Sequence, residues 1–136
     1  MLATYKVIEK WFDCLANKKY GELFELVHEN IHWINCRVVP GANDTVPWLG
    51  EFHNKADVLA SFERFGASAS MVSFTMRDIY IDGEFALAHV EEVCKVNKTG
   101  KTFGVYDIFK MQVKDGKVVY WESFWDPSGA VAAFKE

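Results

Sequence analysis

This sequence predicts an α+β fold, and three observations predict it. Apolar residues recur at helical spacing in the first third; three hairpin-turn dipeptides divide residues 71 to 126; the segments between those turns alternate apolar and polar side chains. At 136 residues the chain fits one domain, spanning 1–136. Half of it is hydrophobic, and its eleven Phe, five Trp and five Tyr can line a cavity as well as fill a core.

The elements follow in order. Ile8, Trp11, Phe12 and Leu15 make one apolar stripe, so the chain opens on a helix, which Asn17, Lys18 and Lys19 interrupt. A short second helix carries Leu23, Phe24 and Val27. The β-branched and aromatic run Ile31-His32-Trp33-Ile34-Asn35 reads as a strand. Residues 36 to 53 hold Pro40-Gly41, Asn43-Asp44, Pro47 and Gly50, a long loop of the kind that serves as a lid or binding loop. Asn54 caps a third helix with Asp57 at its third position, Val58, Leu59, Phe62 and Phe65 facing inward, and Gly66 at its end. Asp82-Gly83, Thr99-Gly100 and Asp115-Gly116 then separate four long antiparallel strands. Asp126-Pro127 opens a terminal helix with the aspartate as cap. Helices thus cover one face of a curved sheet.

Charge and cysteine usage narrow the function classes. The net charge of −4 is spread along the chain, which argues against nucleic acid and anionic membrane as partners. No apolar run approaches the ~20 residues a membrane-spanning helix needs. Glu9 and Lys10 come too early for a secretory signal, so a cytoplasmic protein is expected. Cys14, Cys36 and Cys94 are odd in number and far apart, so reduced buried thiols are expected, with neither a disulfide framework nor a metal site.

Strand alternation singles out two acids. In residues 86 to 96 the even positions are Ala86, Ala88, Val90, Glu92, Cys94 and Val96. In the next strand the odd positions are Phe103, Val105, Asp107, Phe109, Met111 and Val113. Each strand therefore has one apolar face broken by one carboxylate. A two-residue turn at Thr99-Gly100 sets Glu92 directly opposite Asp107, where repulsion and desolvation raise at least one pKa. A protonated acid can then donate to a developing oxyanion while its neighbour acts as base. In the last strand a tight Asp115-Gly116 turn would turn Tyr120, Glu122, Phe124 and Asp126 inward, whereas a three-residue turn with a bulge turns Val119, Trp121, Ser123 and Trp125 inward; the second is preferred because it buries no charge. Val72, Phe74, Met76 and Tyr80 in strand 71 to 81 fit the same face only through a bulge, or else form an outer apolar face used for dimerisation.

The PWLG loop before NKADVLASF, the long hairpins and the final VKDGKVVYWESFWD resemble the SnoaL-like branch of the nuclear-transport-factor-2-like superfamily. The resemblance implies a cone-shaped curved antiparallel sheet wrapped on N-terminal helices, enclosing an apolar pocket and often dimeric. It also implies relatives among polyketide cyclases, ketosteroid isomerases, epoxide hydrolases and dehydratases, which need no cofactor. Val105-Tyr106-Asp107-Ile108-Phe109 is similar to the ketosteroid isomerase strand bearing a protonated oxyanion-hole aspartate, the handling of a carboxylic acid described for that enzyme. That isomerase's base falls near Trp33 to Asn35, where this chain has no carboxylate. Trp33-Ile34-Asn35 is similar to the epoxide hydrolase strand that holds a water, and Glu92 falls on one aspartate of that family's Asp-Arg-Asp triad. Val90 stands at its arginine position and Ser123 at its second aspartate, so that triad is incomplete here.

The expected site therefore has Asp107 as acid or oxyanion donor, Glu92 as base and Asn35 as orienting group. Trp33, Trp48, His53, Phe62, Val90, Val105, Phe109, Trp121, Ser123 and Trp125 are its expected walls. The expected substrate is a small apolar, oxygenated molecule of polyketide or terpenoid type, turned over without cofactor. The alternative is a non-catalytic ligand-binding or dimerising module. A homodimer through the sheet is expected in either case.

Overall fold

In the computed structural model, which describes residues 2–37 and 40–136, α1 (Leu2–Ala16) lies against the sheet through Ile8, Trp11 and Phe12, all buried. Lys18 takes a left-handed conformation and breaks the chain before α2 (Tyr20–Glu25). Strand β1 (Val27–Asn35) begins four residues before the apolar run that marks it in the sequence. The segment read as one long loop contains a short helix, α3 (Ala42–Thr45), and a short strand, β2 (Gly50–Phe52).

Helix α4 (Lys55–Ser68) starts as its sequence dictates, the Asn54 side chain accepting from the Asp57 N–H at 2.9 Å. It does not stop at Gly66, which sits in open space, and runs on until Ser68. Four long strands follow: β3 (Ala69–Asp82), β4 (Phe85–Val96), β5 (Thr102–Lys114) and β6 (Lys117–Phe124). Helix α5 (Ser128–Phe134) closes the chain, with the Asp126 carboxylate accepting from the Ser128 N–H.

The six strands form one sheet in the order β2-β1-β6-β5-β4-β3. Its neighbours are antiparallel except β1 and β6, which pair in parallel with Trp33 beside Trp121 and Asn35 beside Ser123. That pairing departs from an all-antiparallel sheet.

Two buried clusters make the core. One joins α1, α2 and α4 to the middle of the sheet around Trp11, Trp33, Phe109 and Trp121. The other gathers Trp48, Leu49, Cys94, Phe103, Val105 and Ala130 beneath α5. All three cysteines are free and buried, and among the described residues no helix is long and apolar enough to cross a membrane.

Candidate functional site

A cavity of about 110 Å³ lies where the two core clusters meet, its walls drawn from both. Strand alternation brings the acids there: Glu92 from β4 and Asp107 from β5 both line it. They are not directly opposed. Glu92 faces Val105 and Asp107 faces Val90, because the hairpin closes on a four-residue loop, 97–100, rather than on a two-residue turn. In that loop the Gly100 N–H donates to the Val96 carbonyl and the Thr99 hydroxyl donates to the Ala133 carbonyl. The pairing slips by two residues, an even number, so both acids keep their face and stand diagonally, about 7–8 Å apart at their backbones.

Apolar surroundings dominate the electrostatics. Asp107 is buried; loss of water, reinforced by the charge of Glu92, pushes its carboxyl up to about 8, with a hydrogen bond from the Phe124 N–H opposing. Glu92 keeps some accessible surface because it lines the cavity, yet burial pushes it to about 7 against a weak hydrogen bond from the Cys94 thiol. Burial also holds the Cys94 thiol up at about 12, which keeps it a donor. Of the two acids, Asp107 is the one that holds its proton more firmly at neutral pH. The Phe124 N–H fixes Asp107 Oδ1 as acceptor, so the acid proton belongs on Oδ2.

Asn35 completes the polar set. Its Oδ1 accepts from Ser123 Oγ at 3.0 Å and from Trp125 Nε1 at 3.1 Å. An indole N–H can only donate, which settles the amide's orientation. Among the described residues Nδ2 has no hydrogen-bond partner, and Asn35 lines the cavity, so a donor is held ready there.

Of the expected walls, Trp33, Trp48, Phe62, Val105, Phe109, Trp121 and Trp125 line the cavity. Three residues do not. Val90 is fully buried in the core as the Cα partner of Asp107. Ser123 acts one step back, by holding Asn35. His53 lies away from the cavity mouth, exposed on β2's other side beside His32 and Glu51, because it alternates with Phe52, which packs on the core.

Trp11, Leu15, Tyr20, Phe65, Met71 and Cys94 also line the cavity. The sequence reading assigns Trp11, Leu15 and Phe65 to helix stripes, and a core-facing stripe in this fold is also a cavity wall. Trp33 and Trp121 stack with centroids 3.8 Å apart, and the buried indole N–H groups of Trp11, Trp33 and Trp121 have no hydrogen-bond partner among the described residues.

The strand details adjust two expectations. In β6 the turn at Asp115-Gly116 is tight, pairing Lys114 with Lys117, and a bulge at Val119 restores Trp121 and Ser123 to the cavity side. Glu122 is buried on the opposite face despite its charge, bonded by Arg37 Nε at 2.8 Å and by the Tyr120 hydroxyl. In β3 the pairing with β4 shifts at Val72 and at Arg77, turning Phe74 and Met76 toward the helices while Val72 and Tyr80 stay exposed.

No curated protein matches the sequence. Among solved structures, an NTF2-like protein of unknown function from Burkholderia pseudomallei covers 100% of both chains at 11% identity, with a TM-score of 0.85. TerC, co-crystallised with polyporic acid, aligns over 98% of this chain and 99% of its own at 13% identity and a TM-score of 0.77. An LEH-like epoxide hydrolase from M. tuberculosis aligns over 98% of this chain and 90% of its own at 10% identity and a TM-score of 0.75. Identities this low show a shared fold. The sequence itself matches the SnoaL-like domain over residues 8–121, which places the chain in the SnoaL-like family.

Proposed function

We propose that the cavity is the active site of a cofactor-free enzyme working by general acid–base chemistry on a small apolar, oxygenated molecule. The observation that carries this reading is the pair of carboxyl groups, Glu92 and Asp107, raised to about 7 and 8 on one aromatic-walled cavity. Ordinary carboxylic acids are fully ionised and weakly basic at neutral pH; these two are tuned to move protons there.

In this mechanism ionised Glu92 removes the proton next to a substrate carbonyl. Asp107 Oδ2–H and Asn35 Nδ2–H donate to the oxygen that becomes the enolate, and protonated Glu92 returns the proton at a second carbon or to a leaving hydroxyl. Isomerisation, aldol-type cyclisation and dehydration share that first step. A donor to the oxyanion is worth more in a water-poor site than in bulk solvent. Relatives of this fold that take small molecules, such as TerC with polyporic acid, support the substrate class.

The test reads the shared step directly. Small cyclic and terpenoid ketones are incubated in D2O, and deuterium entry next to the carbonyl is followed by NMR. Wild type should accelerate exchange, and Glu92→Gln should lower the rate by about 10²–10⁴-fold, since an amide cannot accept the proton. Ligands that bind in the cavity without any exchange above buffer would make the protein a binding module.

A further inference from the structure

We propose that His32, Glu51 and His53 form a surface binding site for a borderline divalent transition-metal ion of the zinc type, on the sheet face away from the cavity. Three side chains converge, from β1, from β2 and from the bend that follows β2. The β1–β2 ladder ends at the Trp33–Phe52 pair; His32 precedes it on β1, His53 follows it just beyond β2, and Glu51 stands diagonal to His32. Glu51 and His53 alternate with core-packed Phe52, so both project to the same exposed side as His32.

The atoms that matter lie close together. Glu51 Oε2 is 2.5 Å from His32 Nε2 and 4.0 Å from His53 Nε2, and the three candidate ligand atoms fall within 4.8 Å of one another. Around a tetrahedral ion with ligands at about 2.0–2.1 Å, ligand atoms stand about 3.3 Å apart. The observed spacings bracket that value, so side-chain rotations close the site without moving the strands. The two imidazoles already stack, with centroids 4.8 Å apart and planes 20° from parallel, so their orientations are partly set.

Charge and donor type choose the ion. Two imidazoles and one carboxylate suit zinc, and suit magnesium or calcium poorly, since those take all-oxygen ligands. Arg37 adds positive charge near Glu51, but its guanidinium bonds buried Glu122, so the contacts to the Glu51 carboxylate come from the two imidazoles. Three protein ligands leave a coordination position open to water or to a partner's ligand. The site is separate from the cavity and stands whether or not the acid–base reading holds.

The experiment is isothermal titration of tag-free, chelator-treated protein with ZnCl2, paired with thermal unfolding. One Zn²⁺ per chain is expected, with no heat from MgCl2, and Zn²⁺ should raise the Tm by mass action. His53→Ala and Glu51→Gln should each weaken binding by at least about tenfold, since even outer-shell changes at metal sites cost 10–100-fold. All three side chains are at least partly exposed, so both variants should fold, as circular dichroism would show. His89→Ala, on a different pair of strands, should bind as wild type does. Absent stoichiometric binding, or zinc affinity unchanged in both variants, overturns the proposal and leaves a hydrogen-bonded His32–Glu51 pair.

Discussion

Asp107 is a carboxylic acid that the fold keeps short of water, and the cost of that appears in pH dependence. Its carboxyl moves from an ordinary 3.8 to about 8, and that of Glu92 from 4.5 to about 7. Raised values mean that the native state holds protons the unfolded chain has released. Stability from these groups is therefore complete below about pH 4 and falls as pH rises through 7 and 8, with a slope of about 1.4 kcal/mol per pH unit for each differing proton. Asp107→Asn keeps an acceptor for the Phe124 N–H and a donor toward the cavity. It should unfold at pH 8 no lower than wild type and flatten the fall, as thermal scans from pH 5 to 9 would show. Glu92→Gln should behave likewise. If both amides lose stability at pH 8, the pair is a structural hydrogen-bond network and the catalytic role goes with it. Asn35 works in the opposite sense. Asn35→Ala orphans Ser123 Oγ and Trp125 Nε1 and should cost about 1–3 kcal/mol for each donor left buried, measured by urea unfolding.

At the scale of elements, side-chain period was legible in the sequence and pairing register was not. A period of two assigns Glu92 and Asp107 to one face whatever the loop, because only an odd slip would move them. The loop geometry depends on contacts the local sequence cannot reveal: Thr99 reaches the Ala133 carbonyl, 34 residues on, at 2.6 Å. Thr99→Val should remove that bond and loosen α5, costing about 0.5–1.5 kcal/mol, with faster amide exchange confined to α5 and the 97–100 loop. Exchange rising uniformly instead would show that α5 is held by its apolar contacts alone. Bulges escaped for a related reason. Val72, Arg77 and Val119 carry no special residue type, and only the opposing strand shows that pairing steps over them. Helix starts read well because a cap is local, as at Asn54 and Asp57. The end of α4 read poorly because a glycine inside a helix costs only about 1 kcal/mol, which packing overrides.

For the whole molecule, the fold class came from element order, whereas the parallel β1–β6 pairing joins strands more than 80 residues apart and leaves no local trace. His53 shows the same limit, since loop residues 36–53 concealed a strand, β2, that packs Phe52 on the core and leaves His53 exposed just beyond it. The outer face of the sheet then poses its own question. Tyr80, Leu87, Tyr106, Ile108 and Phe124 are 40–67% exposed; Tyr80 pairs with Leu87 and Ile108 with Phe124, while His89 and Lys110 stand between the two pairs. Five large exposed apolar side chains on one sheet face ask for a cover. A second copy supplies it most simply, since a two-fold axis through the patch sets each apolar row on its counterpart, with Arg77 and Glu91, paired at 2.7 Å, along one margin. The protein is expected to be a dimer at micromolar concentration by light scattering. Ile108→Lys sets like charges against each other near the axis and should yield a monomer whose circular dichroism is unchanged, because the residue faces away from the core. A wild-type monomer at that concentration, or an Ile108→Lys dimer, would place the partner elsewhere.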